Sequence, residues 1–188
     1  MDSHIYGPAS GGPASDSPGP DSPGPDSPGP GRPGPVTAAA FFDVEGTLLA
    51  APALDADGPG PPLGRLWHAP VLAALHEHAA RGHLLVLVTP SPAEAVTALA
   101  RELRADAVLC ARPGAPMRGQ GKGYAARALL RERALRAADC YAYADEAADL
   151  PLLAEVGHPV VVGTDPVLLR HARRGAWARL PAPVPREM

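Results

Sequence analysis

Four short stretches of the chain carry side chains that could do chemistry together. Asp43 and Glu45 stand two residues apart, followed by Gly46 and Thr47, and Thr89 and Ser91 flank Pro90. Lys122 lies between Gly121 and Gly123, and Asp145, Glu146 and Asp149 follow in one short segment. Carboxylates gathered in one place raise each other's pKa unless positive charge compensates them. A hard divalent cation with oxygen ligands does this, and Mg²⁺ is the usual choice where phosphate is the substrate. A hydroxyl, a helix N-terminus and a lysine would supply the directed N–H groups and charge that a phosphate needs. Together, a carboxylate nucleophile, a metal and a phosphate cradle amount to phosphoryl transfer through an aspartyl-phosphate.

These residues can meet only if the fold brings distant segments to one rim. Apolar runs at 38–44, 84–88, 107–110, 141–144 and 160–162 read as strands. Between them the apolar spacing is helical. One helix carries Val71, Leu72, Leu75 and Ala79 before Gly82, and another carries Val96, Leu99, Ala100 and Leu103 after a Ser91-to-Glu94 capping box. A third carries Ala126, Leu129, Leu130 and Leu135, and a fourth starts at Asp165-Pro166 and stops before Gly175. Strands alternating with helices imply right-handed crossovers and a mainly parallel sheet with helices on both faces. In such an α/β sheet ligands bind beyond the carboxyl ends of the strands. That is where Asp43, Glu45, Thr89, Asp145, Glu146 and Asp149 fall.

Composition sets the bounds. Of the 188 residues, 25 are Pro and 20 are Gly, and 10 of those Pro and 8 of those Gly lie in residues 1–35, where Asp-Ser-Pro-Gly-Pro is written three times from Asp16. With no apolar residue between Tyr6 and Val36 other than alanine, this stretch lacks the surface to offset its ordering entropy and reads as a disordered, polyproline-leaning tail. Residues 36–188 suffice for one domain. A net charge of −3 gives no general attraction to nucleic acid or anionic membranes, and no apolar run approaches bilayer length. Two cysteines and no visible secretory signal fit a reducing, cytoplasmic setting.

Taken with their order, the four stretches resemble the haloacid-dehalogenase (HAD) superfamily of phosphohydrolases, and within it the phosphoserine-phosphatase-like subgroup. Residues 41–49 resemble its first motif, 85–92 its second, Lys122 the lysine of its third, and 143–153 its fourth. The likeness covers about residues 36–181, including the segment from Val156 to Trp177. It implies a three-layer Rossmann-like core and Mg²⁺-dependent hydrolysis of a phosphorylated substrate. By it, Asp43 would attack phosphorus, and Asp43, Asp145 and the backbone carbonyl of Glu45 would hold the metal. Glu45 would act as acid and base, Thr89 would orient the phosphoryl group beside Ser91, and Lys122 would screen charge. Asp149 would hold the metal's outer ligands or Lys122.

Two departures from the family pattern bear on function. Glu45 stands where Asp is usual, which moves the carboxylate out by about 1.5 Å, although a branch similar to enolase-phosphatases also carries Asp-x-Glu-Gly-Thr. Between Ala50 and Ala69, Pro52, Pro59, Pro61 and Pro62 leave no room for the helical cap that subgroup inserts there. The site should then be open, with a bulky substrate, a partner or another subunit covering it. The alternative is a HAD-like binding protein without turnover. Other features read as structural: His76 and His78 as surface histidines, Cys110 and Cys140 as small apolar groups on inner strands, Trp177 in the core, Trp67 over the shortened cap region, and the arginines from Arg127 to Arg136 as a solvated helix face. Asp149 also fits a helix N-cap.

Overall fold

A computed structural model describes residues 36–50 and 67–182. The expected tail and most of the segment expected to lack a cap lie outside these residues. The order is β1 (Ala39–Asp43), α1 (Ala69–Ala80), β2 (Leu84–Pro92), α2 (Ala93–Glu102), β3 (Ala107–Ala111), α3 (Gln120–Glu132), β4 (Tyr141–Ala144), α4 (Leu150–Leu153), β5 (His158–Val162), α5 (Pro166–Gly175) and β6 (Ala178–Leu180). The strands form one sheet in the order β3-β2-β1-β4-β5-β6, with every neighbouring pair parallel. This is the Rossmann-like α/β arrangement expected, with β6 as an added strand.

Strand alternation sends side chains to two cores. Phe41, Val86, Val88, Ala142 and Val161 pack with Ala126, Leu130, Leu152 and Leu168 from α3, α4 and α5. Phe42, Leu85, Leu87 and Val160 pack with Val71, Leu75, Val96 and Leu99 from α1 and α2. β1 is buried along its whole length, which is why its five residues read Ala-Ala-Phe-Phe-Asp without a polar break until Asp43. The chain winds from β1 out to β3 and returns to place β4 on the other flank of β1. The crevice at that reversal, above β1 and β4, is where an open α/β sheet accepts a ligand.

Several local expectations change. Ser91 is not a cap: β2 runs on to Pro92, α2 begins at Ala93, and its first turn has no side-chain cap. The pairing of β2 with β3 is irregular between Val88 and Pro92, where Pro90 offers no N–H to the ladder, so Thr89 and Ser91 are turned out of the regular pleat. α3 stops at Glu132, before Leu135, because Ala134 has φ 51°. α5 includes Gly175, and Ala176 takes the left-handed position after it. Cys110 is buried, but on edge strand β3, and Cys140 lies just ahead of β4. Trp177 and Trp67 are half-buried against the two cores, and Arg127, Arg131, Arg133 and Arg136 are exposed.

At the amino end of the sheet His78 is buried, unlike exposed His76. Its Nε2 lies 2.9 Å from the Tyr143 hydroxyl and its Nδ1 lies 2.8 Å from Nδ1 of His83. Tyr141 stacks between His83 and His158. Burial, with help from His83 and Arg81, lowers the His78 pKa to about 4, and burial pushes Tyr143 up to about 12. Both groups are therefore neutral near pH 7, and one proton serves each contact.

Candidate active site

Asp43 closes β1 and is 2 % exposed. Its Oδ1 accepts a hydrogen bond from Lys122 Nζ at 2.5 Å, and the same ammonium lies 2.7 Å from Asp149 Oδ1. Lys122, although set between two glycines, is held in the first turn of α3 and is 5 % exposed. Gly123 explains how α3 comes so close, since a side chain there would press on the Pro151 carbonyl of α4. Burial pulls the lysine's pKa down, but Asp43 and Asp149 together override this and leave it raised. Burial also holds the Asp43 carboxyl well above the carboxylate range, opposed by Lys122 and reinforced by Asp149. Asp149 is raised for the same reason. It stands at the N-cap position of α4 yet makes no capping bond, so its side chain serves Lys122.

Asp145 follows β4 directly and faces Asp43 across the crevice. Its Oδ1 accepts from the buried Thr47 hydroxyl at 2.7 Å. Gly46, at φ 82°, gives the turn that brings β1's loop against Asp145; a side chain there would collide with that carboxylate. One carboxylate oxygen from each of Asp43, Asp145 and Asp149 lies within 4.8 Å of the others. Lys122 pairs with two of the three acids, leaving the cluster net negative. Three hard oxygen donors with residual negative charge fit Mg²⁺.

Glu45 points to the other wall. Its Oε1 and Oε2 accept from Thr89 Oγ1 at 2.7 and 2.9 Å, and its Oε1 accepts from Ser91 Oγ at 2.6 Å. The Ser91 N–H donates to Thr89 Oγ1 at 3.0 Å, which leaves the threonine's own proton for Glu45. A cavity of about 110 Å³ joins Asp43, Glu45, Lys122 and Asp149 to Arg118, Glu146 and Pro90 at its mouth.

Of the eight candidate residues the structure gathers seven in two groups: Asp43, Asp145, Asp149 and Lys122 in one, Glu45, Thr89 and Ser91 in the other. Glu146 is exposed at the mouth. Thr47 and Arg118 were not singled out. Thr47 lies within the first motif, but only the tertiary contact reveals its Asp145 bond. Arg118, exposed and without an ion pair among the described residues, had no signal beyond its place four residues before Lys122.

A parallel sheet with buried acids and a lysine at the reversal of its strand order defines a three-layer α/β protein with an acidic, cation-ready site. The haloacid dehalogenase-like hydrolase model matches residues 60–154, half of the chain, and the chain belongs to that family. The match includes Thr89, Lys122, Asp145 and Asp149 and begins after Asp43. The chain is 32% identical over 115 residues to an inhibition of morphological differentiation protein of Streptomyces azureus, covering 55% of this chain and 42% of that one. It is 30% identical over 112 residues to a phosphoserine phosphatase of Mycobacterium tuberculosis, covering 53% and 36%. The chain therefore spans less than half the length of these relatives. A phospho-aspartyl intermediate analogue of phosphoserine phosphatase superposes with a TM-score of 0.58 at 14% identity, covering 77% of this chain and 93% of that one, a likeness of fold.

Proposed function

We propose that the protein is a Mg²⁺-dependent phosphomonoester hydrolase that works through an aspartyl-phosphate on Asp43. One observation carries the reading: a buried aspartate at the end of the central strand shares a lysine and a metal-sized carboxylate cluster with Asp149 and Asp145. Asp43, Asp145 and the Glu45 carbonyl would hold Mg²⁺, with Asp149 behind them. When bound, the ion supplies Lewis-acid charge to the phosphoryl oxygens.

The chain's own residues do the rest. A carboxylate oxygen of Asp43 attacks phosphorus and the bond to the leaving oxygen breaks. Lys122 opposes the burial that raises the Asp43 pKa, and so favours the ionised form needed for attack, and it meets charge on the phosphoryl group. The Thr89 and Ser91 hydroxyls orient that group, and protonated Glu45 gives its proton to the leaving alcohol. Glu45 then takes a proton from water, which attacks phosphorus, breaks the acyl–phosphate bond and restores Asp43. The substrate is a phosphorylated compound reached through an open mouth, either bulky or covered by a partner or second subunit. Among the described residues no helix is long and apolar enough to cross a membrane.

The test is hydrolysis of p-nitrophenyl phosphate with Mg²⁺ by the full chain and by Asp43→Asn. Turnover by the wild type that falls by roughly 10³-fold or more in the variant is expected. Equal inertness of the two would favour a HAD-like binding protein without turnover.

A further inference from the structure

The contact between Glu45 and the two hydroxyls has a consequence for how this site loads. Thr89 Oγ1 and Ser91 Oγ each carry one proton, and both protons are directed at the Glu45 carboxylate. Yet the phosphoryl group needs the same donors, because Lys122 has two of its three N–H groups on Asp43 and Asp149 and can offer at most one to an anion with three free oxygens. One proton cannot serve two acceptors at full strength, so carboxylate and phosphoryl group compete. Glu45 also lines the cavity that opens over Asp43, so a released carboxylate stays in the chamber that holds the leaving oxygen.

The geometry points to Ser91, together with Thr89, as a positioning residue that holds the Glu45 carboxylate in a reserve place until the phosphoryl group takes over both hydroxyls and frees Glu45 to take up a proton from solvent and give it to the leaving oxygen. This rests on the phosphatase reading and adds an order of events to it. It also gives the longer side chain a purpose. An Asp at this position would fall about 1.5 Å short, too far for bonds now 2.6–2.9 Å long.

The test is calorimetric titration of the full chain with inorganic phosphate in Mg²⁺ buffer, beside p-nitrophenyl phosphate kinetics. Glu45→Asp keeps the charge but loses the reach, and is expected to bind phosphate about tenfold more tightly, since a hydrogen bond to a charged group is worth about that factor. Glu146→Gln removes a charge from the same mouth without touching the hydroxyls, and should change affinity by less than about threefold. Ser91→Ala should weaken phosphate binding at least about fivefold more in the Glu45→Asp background than in the wild type, where the lost donor harms both competitors. Ser91→Thr, which keeps the hydroxyl, should undo that difference. A serine with a merely structural role would cost the same in both backgrounds.

No tightening in Glu45→Asp, equal tightening in Glu146→Gln, or an additive cycle each overturns the exchange. If the wild type still hydrolyses p-nitrophenyl phosphate and Asp43→Asn does not, the phosphatase reading survives that loss. Absence of both hydrolysis and phosphate binding in every form overturns the two together.

Discussion

The two ends of the sheet each hold a cluster of titratable side chains, and they solve burial in opposite ways. At the amino end His78 and Tyr143 are neutral near pH 7, and one proton serves each contact in the chain from His83 through His78 to Tyr143. At the carboxyl end Asp43, Asp149 and Lys122 form an ionic group in which the acids outnumber the lysine, with Asp145 alongside. Neutral groups that satisfy one another call for no ligand. An acidic cluster with charge left over is costly by itself and gains from a cation. Both ends contain residue types that do chemistry elsewhere, so residue type alone does not separate scaffold from site. Uncompensated charge does.

The sharpest way to break this contrast is to remove the lysine. Lys122→Met leaves Asp43 and Asp149 buried together without a cation, and should cost about 3–5 kcal/mol in Mg²⁺-free buffer. A melting temperature within a degree or two of the wild type would show that the acidic cluster is not held by Lys122. Gly46→Ala comes next. It forces an alanine to φ 82° and into the Asp145 carboxylate, and should lower p-nitrophenyl phosphate turnover by about 100-fold. Near-normal turnover would mean that the loop and Asp145 tolerate displacement.

A smaller effect separates the ends by ligand. Saturating Mg²⁺ at about 100 times its dissociation constant should stabilise the fold by about 2.7 kcal/mol, read as a rise of roughly 5 °C or more in melting temperature. Asp145→Asn should abolish most of that rise, whereas His78→Gln should retain it; the reverse pattern would put the ion at the wrong end.

The smallest effect concerns pH. His78 titrates at about 4 in the fold and near 6.5 when unfolded, so between those values the unfolded chain binds more protons. Its contribution is present above pH 6.5 and is lost as pH falls towards 4. The melting temperature of the wild type should therefore drop more between pH 7 and pH 5 than that of His78→Gln, by a few degrees. Parallel pH curves would mean that His78 is not held neutral by its surroundings.

Much of the site could be read from spacing because its acids sit at strand ends. Asp43 after five apolar residues and Asp145 after Tyr-Ala-Tyr-Ala are where an α/β alternation ends its strands, and parallel pairing then carries them to one rim. What spacing could not give was direction. Ser91 before Pro92 and Glu94 has every local mark of a helix cap, yet the irregular end of β2 turns its hydroxyl to Glu45, 46 positions away. Lys122 between two glycines looks solvated, and Gly123 instead lets α3 pack close enough to α4 to bury it. His78 in His-Glu-His looks like a surface residue because its partners, Tyr143 and His83, lie on other elements.

Sequence by itself determined the alternation of strands and helices, the parallel sheet, and the chemical types collected at its carboxyl end. Those follow from periodicity and from backbone rules that act over a few residues. Tertiary structure alone decided which donor faces which acceptor: Lys122 between two acids, Thr47 on Asp145, and Glu45 on the Thr89 and Ser91 hydroxyls. Hydrogen bonds and ion pairs form over about 3 Å and depend on angle, and only packing of whole elements fixes side chains that finely.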